Sequence, residues 1–444
     1  MKKIKILIFI VLFAGIATGQ EIKRETIKKS ASRVGVKLDY NLEWYQTQKK
    51  LWKEEVEKNP KSEEAWLNYY HATFYGDHPN YDQDSLKYPR GNNNWYEQVY
   101  LDSYGKNAPA MKIVNEMEKY IPKTFTFYYC KSNQLGKNQG AENYMIKAYE
   151  MQPENPLTYH KLILYYEMKG DLLKRREVVN KLYKNGNFSF GSLNYCYNLL
   201  MTVDKGGVLL TRSWYNSSFL MWILQDVFNV RSEVVHLNEI MLFDSTYRDV
   251  ILNRLNIKLS DLEREKISPE TDFQRNTQIL AQKTLEFYDF RRFDLFYLAP
   301  SGFATQSIIQ IALEKSKKKF YVSPYAKGFV GRFENLYNVG LLLQYSKEDI
   351  DNIALIRRNF RKRYKLDDIE TGFYNKEDEH FGLTYVSGLL TIFQHAKESE
   401  DIEEIEWSKR LLEKIVEKIL AKESEGAGEW WGEQKEKIYK VLNQ

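Results

Sequence analysis

Cysteine, histidine, proline and long apolar runs are all scarce here. The chain has 444 residues with two cysteines, six histidines and ten prolines. The histidines are scattered; His71 and His78, seven apart around a helix end, read as surface residues, the alternative being a metal pair. No cofactor and no metal is expected. Ser301-Gly302 lacks the G-x-S-x-G context of a nucleophile elbow, and Gly328–Gly331 (GFVG) has no following Lys-Ser/Thr for a phosphate loop. No acid–base pair stands in a recognisable context, so no catalytic residue is assigned. Few prolines with many Lys and Glu point to a mostly helical protein.

The start, MKKIKILIFIVLFAGIATG, has three lysines, an apolar run from Ile6 to Ile16 and small residues before Gln20. That is the layout of a secretory signal peptide over residues 1–19, the alternative being an uncleaved anchor. No cysteine follows for lipid attachment, and nothing later approaches eighteen consecutive apolar residues. The mature chain is expected to be periplasmic or secreted, with no membrane span. Without residues 1–19 it carries 62 basic against 60 acidic residues, a balance that gives no field for nucleic acid.

What is abundant is tyrosine, 33 in all, and it falls in a recurring layout. Pro153–Asp171 (PENPLTYHKLILYYEMKGD), Pro60–Asp77 (PKSEEAWLNYYHATFYGD) and the stretch from Pro122 to Gly136 each run from a proline through an aromatic helix to a glycine. Trp66 and Tyr159 both stand six residues after their proline. The unit from Pro122 is followed 34 residues on by one from Pro156. Phe125 and Tyr128 lie one turn apart, Gly136 closes the first helix, Ala141 and Ala148 sit seven apart on the second, and Pro153 ends it. Small alanines permit close helix approach, and Gly and Pro fix the stops.

This pattern resembles the tetratricopeptide repeat, strongly over 122–185 and moderately over 46–77. The resemblance implies helical hairpins over 20–200 that bury their apolar faces against one another and bind a protein partner. Arg175 departs from it, standing where the family prefers alanine, which predicts a splayed helix pair. Asp77–Gln98 is a polar insertion. On such an array Cys130 and Cys196 are several helix spacings of roughly 8–10 Å apart, beyond the ~7 Å a disulfide tolerates, so both read as buried free thiols.

After Thr202 strands alternate with helices. GGVLLTRSW (Gly206–Trp214), SEVVHLNE (Ser232–Glu239), FDLFYLAPSG (from Phe293) and KKFYVSP (ending at Pro324) read as strands, and DSTYRDVILNRL as a capped helix. Asn216, Ser217 or Ser218 can cap the helix after the first strand. Over 203–330 this predicts an α/β domain around a small parallel sheet, with a ligand rim at Arg212–Ser218 and Pro300–Gly302. From 331 to 444 the pattern is helical. There Ile356–Lys365 (IRRNFRKRYK) reads as a solvated face flanked by acids or as an acidic-partner site, and Trp430-Trp431 as packing or docking.

A second resemblance covers 203–346. Phe219, Trp222, Gln225-Asp226, Val230-Arg231 and Val234-Val235, with NLYNVGLLLQYS (Asn335–Ser346), are similar to the extracytoplasmic part of a bacterial membrane-protein family related to protein O-mannosyltransferases. It implies the fold and an association with envelope glycan or protein modification. The family's acidic loop is replaced by Arg212-Ser213-Trp214-Tyr215-Asn216, and the membrane-embedded half has no counterpart, so catalysis is not carried over.

Two functions follow from these readings. The chain is an exported scaffold binding a protein partner through its repeats, or its α/β domain acts on or binds an envelope glycan or anionic ligand. Arg212, Trp214, Tyr215, Asn216, Ser217 and Ser301 are the candidate ligand-binding residues, with Trp214 and Tyr215 alternatively packing the loop onto a neighbouring helix.

Overall fold

The computed structural model describes residues 23–27, 42–76, 109–135, 140–186, 188–211, 216–239, 241–267, 300–326, 335–371, 381–420 and 438–442. The residues read as a signal peptide, the Asp77–Gln98 insertion, Gly136, the GFVG segment and Trp430-Trp431 lie outside them. No helix among the described residues is long and apolar enough to cross a membrane. The chain forms two compact units, one on Lys37–Met151 and one on Gln152–Gln444. The boundary expected near residue 200 falls inside the second.

In the first unit α1 (Leu42–Lys58) packs on α2 (Glu63–Gly76), and α4 (Phe125–Leu135) on α5 (Ala141–Met151). Between them, α3 (Pro109–Tyr120) touches α2 and α4. Ala141 and Ala148 are both buried on α5, as close approach to α4 requires. His71 is buried on α2, edge-on to Tyr129, and is not a surface residue. It stands one turn beyond buried Asn68 on the inward stripe of α2.

The second unit opens with α6 (Tyr159–Lys169), α7 (Leu172–Asn185) and α8 (Phe190–Thr202). Gly170, left-handed at φ 74°, ends α6, and the Asp171 side chain accepts from Lys174 N–H at 3.1 Å to start α7. The shared layout has a shared bond. Trp66 Nε1 donates to Pro60 O at 2.8 Å, and Tyr159 OH to Pro153 O at 3.2 Å. Each aromatic thus ties the start of its helix back to the proline six residues earlier. Cys130 and Cys196 are both buried and neither is in a disulfide.

Five short strands follow, in the order β2-β1-β3-β5-β4. β1 (Val208–Thr211) pairs in parallel with β2 (Val235–Asn238) and β3 (Phe320–Val322). β5 (Leu343–Tyr345) and β4 (Leu336–Asn338) add an antiparallel hairpin. The sheet is therefore mixed, not parallel, and the hairpin falls in the region expected to be helical. Its turn forms because Gly340 takes φ 118° and its N–H reaches Asn338 Oδ1 at 2.9 Å. A Cβ there would meet Tyr364 OH at 2.6 Å. The sheet's helices are α9 (Asn216–Asp226), α10 (Ser245–Arg254, capped by Asp244), α11 (Asp261–Lys266) and α12 (Pro300–Lys315).

Next come α13 (Asn352–Arg358), one π-helical turn (Asn359–Arg363), α14 (Asp367–Thr371), α15 (Val386–Glu398) and α16 (Ile402–Leu420), the last two a packed hairpin. The basic run spans α13 and the π turn. Its arginines meet acids from distant elements and not its own flanks: Arg357 with Glu404, Arg361 with Glu403 at 2.9 Å, Arg358 and Arg363 with Asp204. Asn198 on α8 bonds Lys365 O and Tyr385 OH, each at 2.8 Å, closing this core.

Replacing Ala148 by Phe should overpack the α4–α5 contact and lower the stability of the first unit by about 1–3 kcal/mol, measured by urea denaturation. Unchanged stability would contradict the close contact.

Candidate ligand site at the carboxyl edge of the sheet

β1 lies between two strands that the chain reaches in opposite directions: through α9 to β2, then back across to β3. The carboxyl ends of β1 and β3 are the switch point at which open α/β sheets receive ligands. Thr211 ends β1 at that edge and Asn216 begins α9, so the four residues between them join the edge to the start of the helix.

Hydrogen bonds fix the strand ends and the start of α9. Thr211 Oγ1 is 2.9 Å from His236 Nε2, and Glu239 N–H donates to Thr211 O at 2.9 Å. Asn238 Nδ2 donates to Ser218 Oγ at 2.9 Å, joining the end of β2 to the first turn of α9. Ser323 N–H donates to Leu210 O at 2.9 Å, fixing the exit from β3. Thr211, Ser218, His236, Asn238, Glu239 and Ser323 are all buried. Ser217 is half-buried, and its carbonyl accepts the Cys196 thiol at 3.8 Å. Burial pushes that thiol well above its ordinary range.

The helices around the sheet meet at a buried ionic cluster. Glu167 of α6 is fully enclosed. Arg254 of α10 approaches its carboxylate with both terminal nitrogens, at 2.6 and 3.1 Å, and Arg175 of α7 closes on it from the other side. Arg175 also forks onto Asp226 at the end of α9, at 2.8 and 3.0 Å, and its guanidinium stacks over Trp222 at 5.5 Å. Tyr247 OH donates to Glu167 at 3.3 Å. Burial opposes the charge on Glu167, but Arg175 and Arg254 overcome it and hold the carboxyl below its usual range. Arg175, where the repeat pattern wants alanine, thus does not splay the helix pair, since α6 and α7 remain packed; it locks them onto the sheet's helices. His236 sits against this cluster. Burial lowers its pKa to about 4, with Glu167 opposing and Arg175 and Arg254 reinforcing.

Of the expected site residues, Arg212, Trp214 and Tyr215 lie outside the described residues. Asn216 is the first residue of α9, with its side chain outside the description, and Ser217 follows it. Ser218 is engaged with Asn238. Ser301 is not in a strand-to-helix loop. Pro300, whose fixed φ suits a helix start, opens α12 and places Ser301 in its first turn; the Ser301 side chain is not described, nor are residues 293–299 of that expected strand. Among the described residues no group of three His, Cys, Asp or Glu is arranged to hold a metal. The polar strand ends and the Glu167 cluster were missed from sequence. One signal was present: Glu167 extends the buried stripe Tyr159, Leu162, Ile163, Tyr166, where a charge needs a partner.

No family model matches the chain, and no curated protein does either. The two resemblances rest on the quoted residues alone.

Two outcomes follow. Glu167→Gln strips Arg254 of its carboxylate and leaves Arg175 half-satisfied. Urea denaturation should show a loss of about 3–5 kcal/mol; a loss below about 1 kcal/mol would show the cluster is not coupled to folding. The second concerns pH. The unfolded chain protonates His236 near its ordinary value of about 6.5, whereas the folded chain resists until about 4. Protonation between these values favours the unfolded state, so stability is highest above the window and falls as pH drops through it, by about 3 kcal/mol in all. Comparing wild type with His236→Gln between pH 6.5 and 5, above the carboxylate range, should show the slope vanish in the variant. An unchanged slope would assign it to other groups.

Proposed function

We propose that this chain is an exported, non-catalytic binding protein of the bacterial cell envelope. Its helical hairpins present a surface to a protein partner, and the loop Arg212–Tyr215 takes an anionic or glycan-bearing ligand. The N-terminal segment motivates the export, and the recurring proline-to-glycine helix pairs motivate the partner surface.

One observation carries the ligand site. β1 ends at the switch point of the sheet, and four residues further along the chain the eleven-residue helix α9 begins. Free N–H groups at such a terminus favour an anion. Arg212 adds a forked donor, and Trp214 and Tyr215 add flat faces suited to a sugar ring. The buried carboxylates Glu167 and Asp226 are clamped by guanidinium groups, and Glu167 is held ionised by them, an arrangement that favours binding over catalysis.

A second reading, an enzyme acting on envelope glycans, has one observation in its favour: Glu239 is a buried carboxylate immediately after β2, at the same edge.

Titration of the mature chain with acidic oligosaccharides should reveal a binder. Arg212→Ala with Tyr215→Ala should weaken it at least about ten-fold, the loss of one forked bond or more, while the melting temperature holds. Equal affinity in the variant would remove the loop from consideration. Turnover abolished by Glu239→Gln would instead establish the enzyme reading.

A further inference from the structure

The opposite, amino edge of the same sheet carries an excess of positive charge. Asp204, in the turn before β1, meets three cations at once: Lys319 Nζ at 2.9 Å, Arg358 at 3.4 Å and Arg363 at 3.3 Å. Burial works against its charge, yet Lys319 and Arg358 hold its carboxyl below the ordinary range. One carboxylate neutralises one of these cations and leaves two over. Around them stand Lys205, Lys317 and Lys318, all exposed, and none forms an ion pair with any described residue. Lys318 Nζ reaches back to Gly206 O at 2.9 Å, and Val208 N–H donates to Lys319 O at 2.9 Å, so the turns 204–207 and 316–319 lie side by side. Glu263, the nearby acid of α11, is occupied by Lys315 at 2.6 Å.

The patch is fixed in place as well as charged. Arg363 is held by Met201 O at 3.1 Å in addition to Asp204, so its guanidinium does not have to be ordered on contact with a partner. The chain without residues 1–19 is almost neutral overall, which makes this a local field and not a general basicity.

We propose that this edge is a docking face for the anionic headgroups of a lipid bilayer. The six cations come from three segments meeting at one edge, which suits many shallow headgroup contacts. The turns Asp204–Gly207 and Ser316–Lys319 contain no aromatic residue, so they offer no ring for stacking on a sugar or a base, as a glycan or nucleic-acid site would. With no membrane-crossing helix among the described residues, attachment here is peripheral and electrostatic. It is independent of the ligand loop at the other edge.

The test is sedimentation of the mature chain with vesicles of phosphatidylglycerol in phosphatidylcholine, against pure phosphatidylcholine. Binding is expected only to the anionic vesicles, and it should weaken as salt rises because the charges are screened. Each lysine removed should cost about five-fold in partitioning. The triple variant Lys205→Gln, Lys317→Gln, Lys318→Gln should therefore bind on the order of a hundred-fold more weakly. Lys205→Gln with Lys317→Gln alone disturbs no described hydrogen bond and should lose about 25-fold with an unchanged melting temperature. Wild-type binding that ignores lipid charge, or a double variant that binds as well as wild type, overturns the proposal. So does retention by polyphosphate or an acidic polysaccharide without vesicle binding, which would assign the face to a soluble polyanion.

Discussion

Two guanidinium groups closed on one buried carboxylate organise the second unit. Glu167 comes from α6, Arg175 from α7, Arg254 from α10, and Asp226, which completes Arg175, from α9. Four helices are thereby joined through groups that cannot be left singly in an apolar interior. Such a cluster gains little over a well-packed apolar substitute, but breaking one member leaves an uncompensated charge. Its consequence is specificity: α6 and α7 are committed to the helices of the sheet and cannot act as a freely exchangeable repeat.

That commitment positions the carboxyl edge. Asp226 fixes the far end of α9 while Ser218 and Asn238 fix its start, so the helix that follows β1 is held at both ends. His236, kept neutral by burial beside Arg175 and Arg254, links β1 and β2 at the same level. The ionisable groups of the cluster thus serve to hold shape. On the other side of the sheet the arrangement is reversed, since three cations share Asp204 and charge is left over for the surface.

Much of the local structure was legible. The prolines, glycines and aromatics marked helix pairs, and the bonds from Trp66 to Pro60 and Tyr159 to Pro153 explain why a large donor recurs six residues after proline. Short β-branched runs marked β1, β2 and β3, and Asp244 its helix start. The β4–β5 hairpin was not legible, because three-residue strands carry too little alternation, and its turn depends on Gly340 fitting beneath Tyr364, a contact between distant segments. The mixed sheet follows from that miss. Ser301 was misplaced because a proline can end a strand or open a helix. Glu167 apart, which stands eight positions from Arg175, the ionic partners of Arg175 and of the basic run lie 42 to 159 positions away in the chain, where no spacing rule reaches.

Native-state hydrogen exchange tests the central claim, that helices 159–185 and the sheet are one cooperative unit, most directly. Amides of α6 and α7 should open with the same free energy as those of β1 and β3, and Glu167→Gln should lower both sets together. Helices that exchange at distinctly lower free energy than the strands, or a variant in which only α6 and α7 lose protection, would contradict it.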